Sequence, residues 1–78
     1  MEVYQKIAKH IKENGIKQKF ISEKTGISEN TLSMILNGKR KMEADDFVEI
    51  VIALGVDANY FIDFKKEEAN NWQVVMYN

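Results

Sequence analysis

Four glycines divide the chain into short segments, and they stand at Gly15, Gly26, Gly38 and Gly55. Each comes where an apolar pattern of helical period ends, and glycine commonly follows the last turn of a helix because it adopts the left-handed backbone conformation freely. The segments that end at these glycines predict four helices, over residues 2–14, 18–24, 28–36 and 43–54. A short fifth helix is predicted over residues 58–63, so the expected fold class is all-α.

The segment 43–54 has the clearest helical pattern in the chain. Its apolar residues recur at intervals of three and four positions, which places them on one face of a helix: Phe47, Ile50, Val51 and Leu54. Its first turn is acidic, where the helix dipole favours negative charge: Glu43, Asp45 and Asp46. This segment is therefore predicted to be a core helix.

The residue types that most catalytic and metal sites require are scarce. The chain of 78 residues contains no cysteine and one histidine, His10, which is expected to be solvated. Disulfides, thiolate zinc sites and cysteine nucleophiles are excluded, and a histidine-dependent triad or metal site is not expected. No phosphate-binding glycine loop or nucleophile–base pair is visible, and a domain of this size has little room for a cleft. The sequence predicts a protein that is not an enzyme and uses neither a cofactor nor a metal ion.

The sequence also predicts a cytoplasmic location. No apolar run approaches the roughly 18 residues that a membrane span needs. The first residues, Met1 to Tyr4, do not resemble a signal peptide. The absence of cysteine suits a reducing compartment.

Charge is distributed unevenly along the chain, although the formal net charge is only −1. Residues 1–42 contain nine cations and four anions, whereas residues 43–78 contain two cations and eight anions. A polyanion could bind the first part while the second part faces away from it. The same distribution could arise without any function, and charge alone does not separate the two interpretations.

The most informative unit is a short helix, a tight turn at residues 25–27, and a second short helix that Ser28 is placed to cap. A helix-turn-helix needs a glycine of positive φ in the turn, here Gly26, and a small residue four positions earlier, here Ser22. It also needs apolar side chains that point into the angle between the helices, and these are available at Ile21, Ile27, Leu32 and Ile35. The outer face of the second helix is polar, as a groove-reading helix requires.

The segment 18–40, which reads QKFISEKTGISENTLSMILNGKR, resembles the Cro/repressor-type helix-turn-helix family, also called the XRE family. The segment 50–62, IVIALGVDANYFI, is similar to the fourth and fifth helices of that family. The likeness covers roughly residues 3–62. It implies a five-helix, lambda-repressor-like DNA-binding domain over residues 1–64 with its helix-turn-helix at 18–37. Residues 65–78 are then a short C-terminal extension and a possible dimerisation segment.

The resemblance implies that the helix over 28–36 lies in the major groove of double-stranded DNA. The positions that match the base-reading residues of the family are Glu29, Asn30, Ser33 and Met34. The positions that match its phosphate contacts are Gln18, Thr31, Asn37, Lys39 and Arg40. Side-chain chemistry agrees in part, because asparagine bonds bidentately to adenine, glutamate accepts from cytosine, and an apolar group touches the thymine methyl.

The expected function is that of a transcriptional regulator, a repressor, that binds its operator as a homodimer. One short helix reads only a few base pairs, and two copies about 34 Å apart multiply the discrimination. Such a protein would be bacterial or phage-encoded, cytoplasmic and associated with the nucleoid. The alternative is a protein-interaction module on the same scaffold, such as an antitoxin, with a toxin or an anti-repressor as its partner.

Several positions allow two interpretations. Glu29 is either a base reader or a simple dipole cap, and Met34 is either a base contact or packing. Phe20 and Leu36 belong either to the core or to a surface patch for a partner. A row of lysines on the first helix is either solvated or close to a flanking phosphate: Lys6, Lys9 and Lys12. The apolar segment Trp72–Tyr77 either folds back on its own core or packs against a second copy.

Two further positions depart from the family pattern. Lys17 stands where a serine or threonine usually caps the second helix, so that helix is expected to start loosely. Met42 replaces a common proline, which leaves the start of the fourth helix open by a residue or two.

Overall fold

The computed structural model describes residues 1–62, and the regular secondary structure of this part of the chain is helical, without a β-strand. It contains four α-helices, which are α1 (Val3–Glu13), α2 (Gln18–Thr25), α3 (Glu29–Leu36) and α4 (Ala44–Leu54). One turn of 3-10 helix follows at Ala58–Tyr60. The predicted C-terminal extension, including the segment Trp72–Tyr77, lies outside the described residues.

The predicted helix bounds agree with the structure to within one residue, and side-chain bonds account for the later starts of α1 and α4. The Gln5 side chain accepts from the backbone N–H of Glu2 at 2.8 Å, so α1 begins after Glu2. A carboxylate oxygen of Asp46 accepts from the N–H of Glu43 at 3.1 Å, so α4 begins at Ala44 rather than at residue 43. Each bond satisfies a donor at a helix start.

The fifth helix, predicted over residues 58–63, corresponds within the described residues to the 3-10 turn alone. A carboxylate oxygen of Asp57 accepts from the N–H of Asn59 at 2.8 Å and starts the turn. The N–H of Phe61 then bonds to the carbonyl of Ala58 at 3.1 Å, and the N–H of Ile62 to that of Asn59 at 3.3 Å. Both bonds span three residues, which is the 3-10 pattern and not the α pattern.

The core draws on all four α-helices and on the 3-10 turn. Helix α2 packs against α3 and α4, and α1 packs against α3. The cluster of buried residues comprises Ile7, Ile11, Ile21, Leu32, Leu36, Ile50, Val51 and Phe61. Leu36 therefore belongs to the core, which resolves one of the two interpretations of that residue. Each buried aliphatic or phenyl side chain stabilises the fold by about 1.5–3 kcal/mol, so the angle between α2 and α3 is fixed by packing.

His10 is only partly solvated, whereas the sequence-based expectation was a solvated side chain. Its ring is half-buried and meets two aromatic rings edge-on, with centroid distances of 5.2 Å to Tyr60 and 5.5 Å to Phe61. Edge-to-face contacts of this kind stabilise beyond the buried area alone. The histidine therefore attaches the 3-10 turn to α1, a contact between residues too far apart in sequence for helical periodicity to reveal.

Candidate nucleic-acid interface

The turn between α2 and α3 depends on Gly26. Its φ is +80°, in the left-handed region, and its N–H donates to the carbonyl of Ser22 at 2.8 Å. A residue with a Cβ adopts this conformation at a cost of about 1–2 kcal/mol. The sequence-based prediction of a positive φ in this turn is confirmed.

Two hydroxyl groups hold the turn closed. The Ser22 hydroxyl donates to the carbonyl of Ile27 at 2.5 Å. The Thr25 hydroxyl donates to the carbonyl of Ile21 at 2.8 Å and accepts from the N–H of Ile27 at 3.1 Å. The sequence indicated only that Ser22 had to be small. Its hydrogen bond across the turn is an additional role, and it fixes the direction in which α3 leaves.

Helix α3 begins with the predicted cap. The Ser28 hydroxyl oxygen accepts from the N–H of Thr31 at 3.1 Å, which satisfies one of the free donors of the first turn. The Ser28 hydroxyl also donates to Oγ1 of Thr31 at 3.0 Å. The hydroxyl hydrogen of Thr31 thus remains able to donate to an external acceptor.

The two sides of α3 differ in how far their side chains are buried. Leu32, Ile35 and Leu36 are buried against the body of the domain. Among the four residues predicted to read bases, Glu29 and Asn30 are exposed, while Ser33 and Met34 are half-buried. The structure therefore brings these four residues together on the side of α3 that faces away from the core.

The chain after α3 is folded back onto the end of that helix. The carbonyl of Met34 accepts from the N–H of Lys39 at 2.9 Å and from the N–H of Arg40 at 3.2 Å. Both cationic side chains are exposed. The backbone bonds therefore hold two cationic residues at the C-terminal end of α3.

Asn37 has a different environment from the other predicted phosphate contacts. Its side-chain nitrogen donates to the carbonyl of Ser33 at 2.8 Å and lies 3.4 Å from the hydroxyl of the same residue. The amide is thus directed at α3 itself. A phosphate contact from this side chain would have to replace the longer of the two bonds.

The Tyr4 ring lies against the loop that carries the two cations, and the sequence patterns did not identify this contact. Gly38 has φ +73°, and an ideal Cβ on it would lie 2.6 Å from Cζ of the Tyr4 ring. The ring of an α1 residue therefore occupies the space beside the loop that any larger residue would need. The contact joins residues 34 positions apart, and neither the helical period nor a local motif signals it.

The start of α2 lacks a side-chain cap, although the helix begins at Gln18 as predicted. Lys17 occupies the capping position without a side-chain hydrogen bond to the helix. Gln18 is the first helical residue and its side chain is half-buried. Uncapped N–H groups at a helix start favour an anion there.

Phe20 is a surface residue, which resolves its two interpretations against the core. Its side chain is 45% exposed, and the ammonium group of Lys24 lies 5.7 Å from the centre of its ring. This is cation–π geometry, worth about 0.5–1 kcal/mol at an exposed site.

The described residues were also searched for metal-binding groups and for helices that could span a membrane. No group of three or more metal-binding side chains occurs within residues 1–62. None of the helices in that range combines the length and hydropathy required to cross a bilayer.

Two short helices joined by a glycine turn, the second with an outward polar face, define a helix-turn-helix. The comparison of the sequence with protein families agrees, because residues 4–67 match the helix-turn-helix domain family. The chain therefore belongs to that family, whose members are DNA-binding domains rather than enzymes. Searches among curated proteins and among solved structures returned no significant match.

Proposed function

We propose that the protein binds double-stranded DNA in a sequence-specific manner, with α3 in the major groove. The observation that carries this proposal is the outward face of α3. Its first turn presents two exposed polar side chains, Glu29 and Asn30, and the exposed cations Lys39 and Arg40 follow shortly after the end of the helix. A groove of about 12 Å admits one α-helix, and the buried side of α3 leaves this face as the one available to base edges. Within this proposal we assign the domain to the Cro/repressor type of helix-turn-helix, the XRE family, because of the resemblance carried by residues 18–40.

The base contacts in this proposal come from Glu29, Asn30, Ser33 and Met34. Asn30 is the strongest of the four, because its exposed amide has no hydrogen-bond partner within the described residues and can bond bidentately to adenine. Glu29 is one residue nearer the helix start, where its carboxylate suits both the helix dipole and a cytosine amino group. Met34 supplies an apolar contact for a thymine methyl.

The phosphate contacts in this proposal come from Gln18, Thr31, Asn37, Lys39 and Arg40. Gln18 and Thr31 offer hydrogen-bond donors near two helix starts, where the dipoles attract an anion. Lys39 and Arg40 offer charge at the other end of α3. Contacts at both ends of the helix fix its position along the groove, whereas the bases determine which sequence is bound.

The proposal extends to a homodimer that represses transcription by covering a promoter. A single α3 contacts only a few base pairs, and two copies related by a twofold axis read two half-sites about 34 Å apart. A regulator of this design acts in the cytoplasm of a bacterium, on chromosomal or phage DNA. The partner under this proposal is therefore a palindromic operator.

The experiment that tests the proposal is selection from a pool of random duplexes, followed by footprinting of the enriched sequence. We expect a protected site with twofold symmetry and half-sites one helical turn apart. The double variant Asn30→Ala with Ser33→Ala is the control, because it removes two proposed base contacts without touching the buried side of α3. It should still bind DNA weakly and should enrich no sequence.

A protein that enriches no sequence and protects no site, even at low salt, would contradict the proposal. That result would favour the interaction module, such as an antitoxin, because a surface built for a protein partner gives no footprint. Capture of a toxin or an anti-repressor by a protein that also gives a footprint would instead leave the DNA-binding proposal intact.

A further inference from the structure

An apolar groove lies at the junction of α1, α4 and the end of the 3-10 turn. It has a volume of about 250 Å³ and is lined mainly by Val3, Met42, Ala44, Phe47 and Ile62. It lies outside the helix-turn-helix, so the proposed DNA contacts do not use it. Ile62, the last described residue, forms part of its wall.

The groove continues into an exposed apolar row on α4. Ala44, Val48 and Ile52 are spaced four residues apart, so they follow one another along one side of the helix. The Val48 side chain is 52% exposed and that of Ile52 is 70% exposed. Single apolar residues on a surface are ordinary, but a row that joins a groove marks a site of contact.

We propose that this surface, the groove together with the row on α4, is covered by the chain's own C-terminal segment Trp72–Tyr77. The sequence of that segment is Trp-Gln-Val-Val-Met-Tyr, which is apolar at five of its six positions. The chain continues toward it from Ile62, which is already a wall of the groove. The proposal concerns packing and does not depend on DNA binding.

Length permits the contact and favours the same chain over a second copy. Nine residues separate Ile62 from Trp72, and an extended chain of that length reaches about 30 Å. The row from Ala44 to Ile52 is only about 12 Å long at 1.5 Å per residue. Covalent attachment through so few residues gives the segment an effective concentration of roughly the millimolar range, far above that of a second copy at micromolar protein.

Trp72 is the single tryptophan of the chain, so its fluorescence reports on the segment directly. In the parent protein we expect blue-shifted emission and weak quenching by acrylamide, both independent of protein concentration. In the variant Val48→Asp with Ile52→Asp, the emission should shift fully to its position in the denatured protein. Both replaced residues are exposed, and far-UV circular dichroism checks that the helices remain.

Phe20→Asp is the matched control, because Phe20 is also an exposed apolar residue but lies on α2. It should leave the emission of Trp72 unchanged. A parent protein whose Trp72 is already as exposed as in the denatured state would overturn the proposal, and so would a shift of equal size in the control.

A disulfide cross-link tests whether the segment that covers the surface comes from the same chain or from a second copy. The chain has no cysteine, so Ile52→Cys with Val74→Cys introduces one defined pair. Mild oxidation should give a disulfide within one chain, seen as a monomer of increased mobility on a non-reducing gel, and faster than for Phe20→Cys with Val74→Cys. A disulfide-linked dimer would mean that a second copy covers the surface. A buried Trp72 without any cross-link would mean that the segment packs at another place on the protein. Either result overturns the proposal.

Discussion

The residues on the outward side of α3 differ in how far their side chains are already engaged. Asn30 is exposed, and within the described part of the chain its amide bonds to nothing. Asn37, two turns later, directs its amide at Ser33. An unengaged amide can form both bonds to an adenine edge without first breaking one to the protein, so Asn30 is expected to contribute more to base discrimination than Asn37.

Replacement of Asn30 by alanine should weaken binding to the selected operator by about 1–3 kcal/mol and relax the preference at one base position. The measurement is a titration against the operator and against its single-base variants. Asn59→Ala is the control, since the Asn59 side chain is exposed on the 3-10 turn and only its backbone N–H is bonded to Asp57. An equal reduction in affinity for operator and random DNA would remove Asn30 from the base-reading set.

Replacement of Gly38 by alanine should cost more stability than replacement of Gly26. Both have positive φ, so each substitution costs about 1–2 kcal/mol for the left-handed backbone. Nothing within 4 Å meets an added Cβ at Gly26, but the Tyr4 ring meets it at Gly38. Overpacking then adds about 1–3 kcal/mol, measured as the difference in free energy of unfolding in urea.

A double variant isolates the contribution of Tyr4. In the presence of Tyr4→Ala, the additional destabilisation from Gly38→Ala should fall toward that at Gly26, because the ring that blocks the Cβ is gone. Equal destabilisation at the two glycines in the parent protein would show that the ring moves aside freely. The loop with Lys39 and Arg40 would then not be positioned by α1.

At the scale of the elements, the helices could be predicted from the sequence because their signals are local. The bounds of α1 to α4 follow from apolar period, glycine stops and the Ser28 cap, all of which act within a few residues. The features that were not predicted involve distant partners. Tyr4 against Gly38 and His10 against the 3-10 turn join segments that meet only after the helices have packed.

Two substitutions at Ser28 separate the effect of the capping oxygen on stability from the effect of an added charge on DNA binding. Ser28→Ala removes the acceptor for the N–H of Thr31 and should lower stability by about 1 kcal/mol. Ser28→Asp keeps a capping oxygen and should retain stability, but it adds a negative charge beside the proposed path of the phosphates. We therefore expect the aspartate variant to unfold like the parent protein in urea and to bind DNA more weakly.

Two outcomes would contradict the expectation that the Ser28 oxygen stabilises α3 and that a charge at this position weakens DNA binding. If Ser28→Asp bound DNA as well as the parent protein, the start of α3 would not lie near a phosphate. If Ser28→Ala were as stable as the parent protein, the 3.1 Å bond would not contribute to the helix start.

At the scale of the whole molecule, the distribution of charge predicts how binding depends on salt. The net charge of −1 gives no general attraction to DNA, so affinity has to come from the cations that the fold places beside α3. Removing one cation that neutralises a phosphate reduces the steepness of log affinity against log salt by about 0.9. The variant Lys39→Ala with Arg40→Ala should therefore weaken binding to every sequence and flatten that slope by nearly two.

Lys9→Ala with Lys12→Ala removes the same charge from α1 and is the matched comparison. Lys9 lines a cavity with His10 and Tyr60, on the side of α1 that meets the 3-10 turn. We expect this pair to leave the slope close to that of the parent protein, which would identify the row on α1 as a solvated face. Equal flattening by both pairs would mean that total charge, and not the position of Lys39 and Arg40 at the end of α3, determines the salt dependence.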